Sequence, residues 1–183
     1  MALFSSQRER KLWLWVLIVI AAIYATLGVA PGLAGALREY GLLEAVFIAG
    51  VLLIALAIAI QGFRTRPRAI EIAVGLAVVA VFILVLVRIE LPEERTHLIE
   101  YAVVALLIHE ALLERTANGR DVPALPLLAI VLTAAVGAID EGLQYLLPGR
   151  VFDLRDIAFN LLAAVIAVIG STTVSWARQH SMR

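Results

Sequence analysis

Long apolar runs broken by short polar connections set the plan of the chain. Six runs fall near 12–30, 42–62, 69–88, 95–114, 124–147 and 154–177. Each holds roughly 18 to 24 residues, enough as a helix to cross a hydrocarbon core of about 30 Å. The pattern predicts an all-α polytopic bundle of about six transmembrane helices. Residues 1–183 are expected to form a single transmembrane domain with no soluble appendage.

The first run follows Arg8, Arg10 and Lys11, the layout of a signal peptide, and G-V-A at 28–30 is similar to a cleavage site. Its apolar stretch is longer than an ordinary signal core, and Pro31 would directly follow the cut, so an anchored first span is expected. Trp13 and Trp15 then fit an interfacial aromatic belt. Residues 31–41, P-G-L-A-G-A-L-R-E-Y-G, read as a short interfacial turn. Glu44 and Glu71 lie near the starts of the second and third runs, where snorkelling brings them to the surface without a further role. Arg64, Arg66 and Arg68 make a tight basic loop between those runs.

Composition supports the membrane assignment. The chain is 62% hydrophobic and 16% charged, with mean hydropathy +0.96, whereas soluble domains are about half apolar and a quarter charged. No cysteine is present, which excludes disulfides, thiolate metal sites and cysteine nucleophiles. The zero formal net charge gives no general attraction to nucleic acid.

The distribution of charge is more informative. With a cytoplasmic N-terminus, one side carries Arg8, Arg10, Lys11, Arg64, Arg66, Arg68, Arg115, Arg120, Arg178 and Arg183, and the other Arg38, Arg88, Arg95, Arg150 and Arg155. The positive-inside rule then predicts a multi-pass protein of the cytoplasmic membrane with both termini cytoplasmic. The fourth run starts, the fifth ends and the sixth starts on the extracytoplasmic side, so their polar residues share one layer.

That layer holds the candidate chemistry. R-T-H-L-I-E-Y opens the fourth run and places His97, Glu100 and Tyr101 on one arc, with Arg95 at headgroup level. His109, Glu110 and Glu114 lie on another face near the cytoplasmic end and read as interfacial polar residues. In the fifth run Asp140 and Gln144 are four apart, Glu141 is one position round, and Thr133 is two turns below Asp140. Asp140 stands about 10 Å inside the expected helix end, too deep for so short a side chain to snorkel. It needs a partner or a wet cavity.

Pro148 and Gly149 then break the helix. In the sixth run Asp153, Asp156 and Asn160 share a narrow face, with Asp153 placed as a cap. Glu100, Asp140, Glu141, Asp153 and Asp156 face Arg95, Arg150 and Arg155, an acidic excess that calls for a protonated carboxyl or a bound cation. No cofactor is expected. A divalent cation on His97 and the acids is conceivable, but helical spacing alone does not define a metal site.

R-T-H-L-I-E-Y followed by D-E-G-L-Q-Y-L-L-P-G-R-V-F-D-L-R-D-I-A-F-N resembles the VanZ-like family over about residues 93–170. The matching positions are Arg95, His97, Tyr101, Asp140, Glu141, Gln144, Pro148, Gly149, Arg150, Asp156 and Asn160. Ala163 and Ala167 stand where the family commonly has glycine, which implies looser packing of the last helix. The resemblance implies a role in the cell envelope similar to that of proteins associated with glycopeptide (teicoplanin) antibiotic resistance. An outward-facing site would suit envelope lipids or lipid-linked precursors.

Two function classes follow. In the first, the cluster binds such a molecule, with Arg95 and Arg150 on an anionic headgroup and Glu100, Tyr101, Gln144 and Asn160 around it. Its catalytic form makes His97 or Glu141 a general base and Asp140 or Asp156 a general acid in hydrolysis or group transfer. In the second, the chain is a non-enzymatic accessory subunit of a larger membrane protein complex and the cluster only locks helices together. A transporter ranks below both, because the polar motif has no counterpart in the first half of the chain.

Overall fold

The computed structural model describes residues 3–49, 52, 67–89, 92–148 and 152–181. Its helices are α1 (Gln7–Thr26), α2 (Ala30–Glu39), α3 (described over 43–49), α4 (Ala69–Arg88), α5 (Pro92–Ala117), α6 (Leu125–Tyr145) and α7 (Leu154–Ser181). Among the described residues there is no strand. Four helical segments, Ala69–Arg88, Arg95–Ala117, Leu125–Tyr145 and Leu154–Arg178, are long and apolar enough to cross a membrane. By length and composition this is a multi-pass membrane protein.

The expected six spans are therefore four on the described residues. Most of the second run lies outside them, as does the Arg64 and Arg66 part of the basic loop. The first run forms α1, whose opening turn carries Arg8, Glu9, Arg10 and Lys11 and so shortens its apolar part. The expected turn at 31–41 is instead mostly the ten-residue helix α2. Its proline sits in the first turn, where a missing N–H breaks no helical bond.

The bundle is built around α5, which packs against α1, α6 and α7; α6 also packs on α7, and α4 on α7. The face of α5 formed by Leu98, Tyr101, Val104, Ala105, Ile108 and Leu112 is buried. Val16 and Ile23 of α1, two turns apart, join the same core. Tyr24 extends that contact by donating its hydroxyl to the Val136 carbonyl of α6 at 2.8 Å. By contrast α4, with mean hydropathy 3.0, keeps only 6% of its most apolar window buried.

Two glycines allow close helix approach. A Cβ on Gly137 would stand 2.8 Å from Asn160 Nδ2 and 2.9 Å from Asn160 Cβ, and one on Gly170 would stand 2.6 Å from Val78 Cγ1. The last helix is not loosely packed, since Ala163 is fully buried and Ala167 is 8% exposed. A methyl fills the interface where the resemblance led to glycine.

A polar network ties the terminal end of the bundle. Glu9 accepts hydrogen bonds from Ser5 N and Ser5 Oγ, both at 2.6 Å, and from Arg115 Nε at 2.7 Å. Glu114 accepts from Ser6 Oγ at 2.8 Å, and Arg8 reaches Glu110 and Glu114 at 3.3 and 3.2 Å. Glu71 is no idle snorkelling acid: it accepts from Arg178 Nε at 3.0 Å and joins α4 to α7. His109 faces the bundle interior, being 1% exposed with Nδ1 3.2 Å from Ser171 Oγ.

Candidate functional site

At the opposite end, α5, α6 and α7 bring their polar residues together. The last turns of α6 carry Asp140, Glu141 and Gln144, which are 0%, 1% and 2% exposed. The helix stops at Tyr145, three residues before Pro148, because proline disfavours helical geometry in the residue before it. Asp140 therefore lies about 8 Å from the helix end at 1.5 Å per residue, slightly nearer than the run length implied.

Gln144 Nε2 donates to Asp140 Oδ2 at 3.2 Å, the contact that i, i+4 spacing promises. From α5, His97 Nδ1 lies 3.7 Å from the same oxygen, too long for a hydrogen bond but close enough for an ion pair when the ring is protonated. The His97 and Tyr101 rings stack at 6.2 Å between centroids. Tyr101 is fully buried and within electrostatic reach of Asp140. Glu100, on the same arc, is half-buried at the rim.

The start of α7 closes the group. Asp153 Oδ1 accepts from Arg155 N at 2.8 Å, the bond of an N-cap residue. Asp153 N donates in turn to Glu141 Oε1 at 2.6 Å, so one Glu141 oxygen holds the α6–α7 connection. Asn160, two turns into α7, is 1% exposed and packs against Gly137. Asp156 is half-buried one turn above it.

Not every expected site residue joins the cluster. Arg95 donates from Nε to the Ile89 carbonyl at 2.9 Å, and its guanidinium lies 5.9 Å from the Phe47 ring centre. It belongs to the α3–α4 side of α5. Arg150 and Gly149 lie outside the described residues. Thr133 is buried but spends its hydroxyl on the Ala129 carbonyl at 2.9 Å.

Three buried atoms mark this cluster, and His109 Nε2 is a fourth such atom toward the other end of α5. His97 Nδ1, Glu141 Oε2 and Asn160 Oδ1 have no hydrogen-bond partner among the described residues, while the Tyr101 hydroxyl bonds with Asp140. An unsatisfied buried polar group costs about 1–3 kcal/mol. The carboxylate of Glu9, equally buried, receives three hydrogen bonds. The cluster offers an imidazole beside a carboxylate, a phenol and an amide, enough to hold a polar group or relay a proton. Among the described residues, no group of three or more acids and histidines is placed to hold a metal ion.

Sequence reasoning missed Gly137 and Tyr24. Gly137 is legible one turn before Asp140 on the same face, whereas nothing on α1 signals that Tyr24 reaches α6. No protein-family model matches the chain, and no curated protein or solved structure matches it.

Proposed function

We propose that the α5–α7 cluster is a membrane-embedded binding site for the polar head of a cell-envelope lipid or lipid-linked precursor, as the VanZ-like resemblance implies. The observation that carries this is the set of three buried polar atoms without a described partner, His97 Nδ1, Glu141 Oε2 and Asn160 Oδ1, one from each of three helices around Asp140. A purely structural network gains stability by satisfying its members, as the three hydrogen bonds to Glu9 do at the other end. The site lies at the end away from the termini, and the basic-residue asymmetry makes that end extracytoplasmic. α1 and the second run complete six spans. In a catalytic form of the site, His97 acts as the general base with Asp140 orienting it.

Tyr101→Phe tests the site directly. The hydroxyl interacts with Asp140, and its removal keeps the ring packing and changes stability by about 1 kcal/mol. Native mass spectrometry of protein extracted gently from its own membrane then shows a bound lipid in the wild type that is lost from Tyr101→Phe and Asp140→Asn. Retention of the same lipid in both variants defeats the proposal.

A second reading has one observation in its favour, the Glu141–Asp153 bond that pins the α6–α7 connection. It makes the cluster structural and the chain an accessory subunit of a membrane complex. A stoichiometric protein partner kept by the wild type and both variants, with steeply lowered melting in Tyr101→Phe, supports it.

A further inference from the structure

Arg95 and Glu44 share a groove of about 280 Å³ lined also by Phe47, Ile48, Leu86 and Val87. It lies between α3, the end of α4 and the start of α5, at the end of the bundle that holds the α5–α7 cluster. Arg95 stands two residues before His97. Its walls are apolar, and Ile48 and Val87 are 55% and 69% exposed, as expected of a surface that meets acyl chains.

The charged groups are placed unequally in it. Arg95 is held by the Ile89 carbonyl and the Phe47 ring, so its guanidinium is oriented rather than free to snorkel. The bond to Ile89 uses one of its five donors, and a guanidinium fork suits a phosphate. Glu44, exposed in the first turn of α3, puts a carboxylate in the same groove. A carboxylate there repels a head with net negative charge and attracts an ammonium. An anion site alone would lack it.

We propose that this groove binds a zwitterionic aminophospholipid, its phosphate on Arg95, its amine on Glu44 and its first acyl carbons against the apolar walls. The proposal deepens the function given above by naming a ligand class, and rests on it only for passage of the head from the groove to His97 and Asp140. A phosphatidylcholine head has the same charges but no N–H to donate to Glu44. A phosphatidylglycerol head has no cation.

The test is competition among defined lipids for the full chain, read by native mass spectrometry after exchange with equal amounts of phosphatidylethanolamine, phosphatidylglycerol and phosphatidylcholine. Wild type is expected to retain phosphatidylethanolamine about fivefold over each of the others, the ratio that a contact of about 1 kcal/mol gives. Glu44→Gln removes the preference over phosphatidylglycerol, and Arg95→Gln loses all three. Equal retention by the wild type, or an unchanged preference in Glu44→Gln, overturns the proposal. Glu44 is exposed, so that variant remains informative if Arg95→Gln fails to fold. Soluble phosphoethanolamine is expected to compete poorly, and equal competition overturns the lipid assignment in favour of a free head. Loss of lipid from Tyr101→Phe with an unchanged preference in Glu44→Gln overturns the groove and leaves the buried site standing, whereas a preference lost in Glu44→Gln with lipid retained by Tyr101→Phe and Asp140→Asn does the reverse.

Discussion

Asn160 and Gly137 show how closely the cluster is fitted. A methyl on Gly137 would meet Asn160 at 2.8 and 2.9 Å, and one contact is to Cβ, which cannot swing aside as a side-chain tip can. Gly137→Ala is expected to destabilise the protein by about 1–3 kcal/mol through overpacking, read as a lower melting temperature in detergent. Gly142→Ala, with nothing within 4 Å of its Cβ, is the matched control. Glu9 permits a prediction about pH. Burial pushes its carboxyl up, but hydrogen bonds from Ser5 and Arg115 and the Arg115 charge outweigh burial and hold the pKa at about 2, below its ordinary 4.5. A depressed folded value contributes stability above the unfolded pKa. That contribution is lost as pH falls from about 4.5 toward 2. Melting measured down that window should fall more steeply for wild type than for Glu9→Gln.

At the scale of elements, α4 is the least attached of the four apolar helices. It docks on α7 through the close Gly170–Val78 contact and the Glu71–Arg178 pair. Arg178→Ala is expected to loosen α4 from α7 and leave the α5–α7 cluster unchanged. A spin-label pair on α4 and α7 reports this as a broadened distance distribution, set beside an unbroadened pair on α5 and α6. The long runs were legible because 18 or more apolar residues leave few alternatives to a helix. Helix faces were legible too: the i, i+4 relation of Asp140 to Gln144 and the capping place of Asp153 both appear as bonds. The direction taken by a long side chain was not. Arg95 follows the Ile89 carbonyl and Phe47 rather than the acids, and Glu71 finds Arg178, 107 positions away. Spacing within one helix carries no information about such partners. α2 was missed because a Pro/Gly-rich sequence suits both a turn and a helix with proline in its first turn.

For the whole molecule, the start of α1 and the end of α7 lie at one end and the acid-rich cluster at the other, as Glu9–Arg115 and Glu71–Arg178 require. The absence of native cysteine lets this be checked without background. In intact cells an impermeant maleimide is expected to label Glu44→Cys, and to label Arg120→Cys only after the membrane is opened. The reverse pattern inverts the orientation that the basic residues predict. The Glu9–Arg115 contact also sets an order of events during synthesis. Its two residues are separated by 106 positions, and a ribosome adding about 5–20 residues each second needs roughly 5–20 s to make the second after the first. For that interval α1 is made without α5, and Glu9 lacks the arginine that later holds it. The N-terminal helix is thus an early arrival that becomes part of the core only when the fifth helix comes to meet it.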